Sequence, residues 1–464
     1  MLLFTSGSLF INVYFPRGGI WRIKPSEISN TYEKAGVISG GIFMPYIKYI
    51  YAREVLDSRG IPTVEAQVYT HCGVCGSAIA PSGDGVGIYE AMEQRDDSSR
   101  RYMGKGVLHA VENVNKTIAK MLTGMCVLDQ VGIDRMLIRR DGTANKGNLG
   151  SNAILAVSMA CARAAALCQG QPLYRIMGGF YAHTLPVPML NILSSVHRGC
   201  TGMSFQEFMI MPSNAENYKA ALQTGAEVID HMEQLLLREG CDTAIGRGGG
   251  FAPDFSSNEK ALRWIVKAIE AAGYCPGKDV QIGLDVAADK LWINGKYQLN
   301  PRTAMEMTGD ELIEYYEYLC DKFPVCLIRD GLDEDDWEGW VKMTRRLGQK
   351  ISVTGDRFFS ASPDRLKMGI RSLAGNSVII KPGQIGTLTE IFQTIEIAKR
   401  AGYDTIISYS PGESEDSFIA DLAVAVNCGK ICAGSIKRSE HTAKYNRLLR
   451  ICDELGTMGT YGCF

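Results

Sequence analysis

In the second half of the chain, short apolar runs recur and each stops at a polar or charged residue. Gln281–Leu284 stops at Asp285, Val325–Ile328 at Arg329, Ile351–Gly355 at Asp356, Val378–Ile380 at Lys381 and Thr405–Ser408 at Tyr409. The last four stops lie 27, 25 and 28 residues apart, and amphipathic patterns such as Thr387–Arg400 and Ser414–Val426 fill the intervals. Buried strands alternating with helices predict a barrel or a doubly wound open sheet, because both cover a parallel sheet with helices. In a barrel the polar stops converge on one rim, where active sites collect.

The first half carries a different period. Ile50–Tyr69 alternates apolar and polar residues around the turn Asp57-Ser58-Arg59-Gly60, which predicts two antiparallel strands. A third strand over Val74–Ala80 leads into the glycine-rich loop Ser82–Gly87, and a helix is expected from a Ser151 cap to Gly170. Thr184-Leu185-Pro186-Val187-Pro188 breaks the pattern and marks a domain boundary. Met1–Phe15 is apolar but interrupted by Ser6, Gly7 and Ser8, has no basic leader and is too short to cross a bilayer, so neither signal peptide nor anchor is predicted. Residues 1–44 are set aside as an extension, either flexible or untranslated. The second option makes Met44 the start, with Gly40-Gly41-Ile42-Phe43 encoded by a purine-rich ribosome-binding sequence.

Composition narrows the class. A chain of 464 residues, 46% hydrophobic and with a net charge of -2, is expected to be soluble and to hold two domains. Its Lys and Arg residues are dispersed among acids, so neither nucleic acid nor a membrane is expected as a partner. The 14 cysteines are scattered. Cys72 and Cys75 form the only C-x-x-C pair, Cys428 and Cys432 are one residue wider, and neither pair has histidines at zinc-site spacing. Reduced, packed thiols in the cytoplasm are the expectation.

Nine blocks decide between barrel and open sheet: YAREVLDSRG at 51–60, RYMGKGV at 101–107, SNAILAVSMA at 151–160, QEFMIMP at 206–212, GGFAPDF at 249–255, GLDVAA at 283–288, DEDDWEGW at 333–340, QIGTLTE at 384–390 and RSEHTAKYNRLLRI at 438–451. Through them the chain resembles the enolase family from about Tyr46 almost to its C-terminus. The resemblance implies an α/β fold, with an N-terminal α+β capping domain at 45–185, an enolase-type (β/α)8 barrel at 186–455 and a tail at 456–464. It also implies a homo-oligomer and the Mg2+-dependent dehydration of 2-phosphoglycerate to phosphoenolpyruvate in glycolysis.

That reaction removes a weakly acidic proton beside a carboxylate and expels hydroxide. The family uses a lysine base and magnesium ions that stabilise the doubly charged intermediate. By resemblance Lys381 is the base, and Lys444 is the neighbouring cation that lowers its pKa. Glu207 is one of two glutamates that manage the hydroxide, and Asp285 and Asp356 are two of three metal carboxylates. Gln206 and Lys444 are the expected substrate contacts.

Several expected groups are replaced. The third metal carboxylate falls at Arg329, the second acid–base glutamate at Gly248, and the aspartate beside it at Arg247. The loop histidine falls at Arg198, next to His197. The serine of the glycine loop falls at Gly85, a His-Arg phosphate pair at Tyr409 and Ser410, and an acid at Arg357. Residue counting raises the pocket's formal charge by about seven units. Magnesium requires oxygen ligands in near-octahedral order, so weak or absent binding is expected, with Arg329 and Arg357 pairing Asp285 and Asp356 in its place. Losing one general acid or base costs about a hundred to ten thousandfold in rate. Two functional classes follow. One is a weak or active enolase, or a related lyase, working through Lys381. The other is a catalytically silent homologue that binds a small phosphorylated carboxylic acid or another anion, or serves as the partner of an intact enolase in a hetero-oligomer.

Overall fold

The computed structural model describes residues 44–83, 87, 89–96, 100–195, 202–300 and 305–462, together with the antiparallel strand pair Ile11–Tyr14 and Ile20–Ile23. That pair places a short hairpin inside the N-terminal extension, as its β-branched and aromatic residues favour. The rest of the extension lies outside the described residues, as do Gly85 and Arg198. Residues 1–44 form one unit and residues 45–464 another.

In the second unit, β1 (Ile47–Leu56), β2 (Pro62–Thr70) and β3 (Cys75–Ile79) pair antiparallel in that order. The β1–β2 turn closes through Asp57, whose Oδ1 accepts the N–H groups of Arg59 at 2.8 Å and Ile61 at 2.9 Å. Helix α1 (Gln130–Asp141) precedes α2 (Ser151–Gln169), which packs across this sheet. A Cβ at Gly76 would stand 2.3 Å from Ala160 O and Ala164 N, so only glycine allows strand and helix to come this close. By length and hydropathy α2 resembles a bilayer span, but 83% of that window is buried inside the chain, where it serves as the core of the cap.

Eight strands then close a barrel: β4 (Val187–Ser194), β5 (Glu207–Met211), β6 (Gln281–Asp285), β7 (Val325–Arg329), β8 (Ser352–Gly355), β9 (Ser377–Ile380), β10 (Asp404–Ser408) and β11 (Lys430–Cys432). Strand β5 runs antiparallel to both neighbours, whereas the other pairings are parallel. The barrel expected from the sequence is therefore present but not uniformly parallel: β5 reverses, and two helices, Tyr218–Arg238 and Asn258–Ala271, fill its connection to β6. Val187, Met189, Met209, Met211, Leu327, Ile379, Ile406 and Cys432 pack as one buried cluster of barrel-strand residues.

Cap and barrel are joined by a partly buried ion pair. Arg163 of α2 holds Asp416 through both guanidinium nitrogens at 2.7 Å, and the Ile79 N–H donates to the same carboxylate at 3.0 Å. Ser58 N–H donates to Glu413 O at 2.7 Å, and Ser82 bridges Gly412. These contacts occupy the stretch expected to open a helix at Ser414, and the helix begins at Phe418 instead. The tail also differs from a free end: Thr460–Tyr461 pairs with Thr184–Leu185, and the Tyr461 hydroxyl donates to Pro212 O at 2.6 Å.

Candidate active site

The reversal of β5 brings the site together. Glu207 is the first residue of its strand, yet it pairs in register with Asp285, the last residue of β6, which in turn pairs with Arg329 at the end of β7. Asp356, Lys381 and Tyr409 each follow the last residue of β8, β9 and β10, so all these side chains reach one rim.

Arg329 occupies the centre and is 6% exposed. Its Nη1 stands 3.2 Å from Asp285 Oδ2, and its Nη2 is hydrogen-bonded to Asp356 Oδ2. Lys381 Nζ donates to that same oxygen at 2.6 Å, while Gln384 Nε2 donates to Asp356 Oδ1 at 3.2 Å. Burial alone raises a carboxyl pKa, but the Arg329 and Lys381 charges outweigh it and hold Asp356 well below the usual range. Asp330, at φ 45°, accepts the N–H groups of Asp356 at 2.8 Å and Arg357 at 3.1 Å. Burial and then the Asp356 charge push its carboxyl up to about 7.

These residues do not fit magnesium. The guanidinium already bridges Asp285 and Asp356, and a second cation there would be repelled by one that cannot lose its proton. Among the described residues, no group of three or more His, Cys, Asp or Glu is arranged to hold a metal ion.

The acid–base side is altered in a coordinated way. A Cβ at Gly248 would lie 2.2 Å from Glu207 Oε1, 2.3 Å from Asn191 Nδ2 and 3.0 Å from Tyr409 Oη, so these groups fill the space a side chain would need. The Tyr409 hydroxyl donates to Glu207 Oε1 at 3.2 Å, and its ring meets the His441 ring edge-on at 5.1 Å. Burial, followed by the Asp285 charge, pushes the Glu207 carboxyl upward against the opposing influence of Arg329, Asn191 and Tyr409. Ser410 is buried, and its N–H donates to Glu413 Oε1 at 2.9 Å.

Two expectations are corrected. Lys444 does not reach the rim. It lies fully buried on α3 (Ser439–Leu455), a helix outside the barrel, paired with Glu413 Oε2 at 2.8 Å and donating to Ser414 O at 2.7 Å. A buried ammonium needs such a partner, and the cap–barrel seam supplies one. Arg357 does not join Asp285 and Asp356. Its guanidinium turns outward to Asp289 Oδ2 at 3.0 Å and only its N–H turns inward, to Asp330.

The sequence reading missed Cys432, which ends β11 on the same rim. Burial pushes its thiol up to about 11, with Arg329 opposing and Glu207 adding. A three-residue strand is too short to announce itself. Also missed was a cleft of about 670 Å³ between cap and barrel, lined by Arg59, Lys105, Arg247, Lys290 and Arg357 among others. At its edge Lys290 Nζ donates to Gln206 Oε1 at 2.7 Å.

A capped barrel with carboxylates and a lysine on one rim defines the class, and comparison with known families names it. Residues 47–177 match the enolase N-terminal domain and residues 182–463 the enolase C-terminal TIM barrel domain, so the chain belongs to the enolase family. Members of that family are generally Mg2+-dependent, bind a phosphorylated acid substrate and are usually oligomeric.

Proposed function

We propose that this chain is a catalytically impaired enolase-family protein in which the Arg329 guanidinium replaces the first magnesium ion, and that its basic mouth binds a small phosphorylated carboxylic acid or another organic anion. The observation that carries this reading is the Arg329 bridge between Asp285 and Asp356. A guanidinium brings one positive charge where the ion brings two, and both of its Nη groups face protein carboxylates, while its Nε is buried without a hydrogen-bond partner among the described residues. Unlike a metal ion, it has no coordination position in which to hold a substrate carboxylate. Lys381 is held by Asp356 at 2.6 Å, and acting as a base requires breaking that contact. Departing hydroxide meets Glu207 and Tyr409 alone, because Gly248 contributes no acid. The cationic lining of the cleft supports anion binding.

The expected assembly is a homo-oligomer, or a hetero-oligomer with an intact enolase, in the cytoplasm, with domains divided near residue 185. A second reading, a weak enolase or related lyase, is favoured by one feature: Lys381 and Glu207 survive on the same rim. Phosphoenolpyruvate formation from 2-phosphoglycerate, followed with and without Mg2+, separates the two. The proposal expects none above the blank, with calorimetry showing 2-phosphoglycerate bound intact. Rapid Mg2+-dependent turnover refutes the impairment, and absence of any binding refutes the anion site.

A further inference from the structure

The C-x-x-C pair singled out in the sequence is divided by the hairpin that contains it. Cys75 opens β3, in register with Tyr69, whereas Cys72 lies in the β2–β3 turn. There the Cys72 Sγ stands 2.6 Å from the Sγ of Cys168, in the last turn of α2. Non-bonded heavy atoms rest about 3.5–4 Å apart, and a disulfide closes at about 2.05 Å, so these sulfurs already lie inside ordinary contact. Both residues are half-buried, within reach of a small reagent. Thr70 Oγ1 is 3.0 Å from Cys72 Sγ and 3.7 Å from Cys168 Sγ.

We propose that Cys72 and Cys168 form a redox-active dithiol, which a small-molecule disulfide such as oxidised glutathione converts to an intramolecular disulfide between the β2–β3 turn and the end of α2.

The two thiols have different roles. Burial raises the Cys72 pKa, but hydrogen bonds from Cys168 and Thr70 outweigh it and favour the thiolate. Cys168 is pushed up to about 11 by burial and by Cys72, and it lies at the negative end of the α2 dipole. Cys72 is therefore the attacking sulfur. Its thiolate bonds to one sulfur of oxidised glutathione, the S–S bond of the reagent breaks, and one glutathione thiolate leaves. Cys168, losing its proton to water, then attacks the Cys72 sulfur of the mixed disulfide and expels the second thiolate. The pair loses two electrons and the reagent gains them, while the released thiolates take up the protons. The bond spans 96 residues of sequence, so it restricts the unfolded chain and raises the unfolding temperature.

The test incubates the full chain with oxidised glutathione, blocks remaining thiols with N-ethylmaleimide and maps peptides without reduction. The expected result is a Cys72–Cys168 linked peptide and an unfolding midpoint several degrees higher, reversed by dithiothreitol. Cys75→Ser should behave as the natural chain, whereas Cys72→Ser should leave Cys168 blocked or carrying a single glutathione. A Cys72–Cys75 or Cys126–Cys168 link overturns the proposal, as does full alkylation of Cys72 and Cys168 after oxidation. The peptide map of the unmodified chain decides even if a variant fails to fold.

Discussion

Replacing Arg329 by methionine keeps much of its volume and removes its charge. The side chains concerned are nearly sealed from water: 7% exposed for Arg329, 2% for Asp285 and 3% for Asp356. Breaking a buried pair by deleting one partner costs about 3–5 kcal/mol, because a charge is left uncompensated. Lys381 stays on Asp356, so most of the loss falls on Asp285, and the lower end, about 3 kcal/mol, is expected. The pH dependence has a definite sign. Asp356 has a depressed folded pKa, so its stabilising contribution is complete above the unfolded value of about 3.9 and is lost as pH falls through the folded one. The gap between natural protein and variant should therefore be widest near neutral pH and narrow below about pH 4. Arg329→Glu supplies the missing carboxylate instead, and magnesium at a hundred times its Kd should stabilise that variant by about 2.7 kcal/mol while leaving the natural protein unchanged. Urea unfolding followed by circular dichroism, with and without Mg2+, measures both effects. A cost below about 1 kcal/mol for Arg329→Met, or equal magnesium stabilisation of the natural chain, refutes the replacement of metal by guanidinium.

Gly248→Glu alone should cost about 1–3 kcal/mol and yield no activity, since its Cβ would lie 2.2 Å from Glu207 Oε1. Combining it with Arg329→Glu, Arg198→His, Tyr409→His and Ser410→Arg should recover measurable Mg2+-dependent dehydration, and an inactive but folded combination counts against the reading. Lys444→Met should lower stability by about 3 kcal/mol in urea unfolding, because Glu413 loses its buried partner, and should leave 2-phosphoglycerate affinity unchanged. A drop in affinity at unchanged stability would return Lys444 to the site. Burial, with Lys444 and Arg438 adding and Glu440 opposing, holds His441 down at about 4. Its stabilising contribution is therefore complete above about 6.5 and fades towards pH 4 at about 1.4 kcal/mol per unit. Urea midpoints at pH 7 and 5 should differ less in His441→Gln than in the natural protein, and equal differences would refute this.

The strand stops Asp285, Arg329, Asp356, Lys381 and Tyr409 were legible along the chain, because burial on both faces of a strand writes a local apolar run that ends where the strand reaches the polar groups of the barrel rim. The order of the quoted blocks likewise carried the family, and with it the substitutions at Arg329 and Gly248. The direction of β5 came from the folded barrel alone, and with it the placing of Glu207 at the start of its strand on the rim where Asp285 closes another. Tertiary packing also turned Arg357 outward to Asp289, drew Lys444 to Glu413, placed the Cys72 thiol beside Cys168 and not Cys75, and gathered Arg59 and Arg357 at one cleft. The reason is physical: periodicity and end residues are set by neighbours within a few positions, whereas strand direction and the partner of a buried charge are set by tertiary packing, among residues tens to hundreds of positions apart.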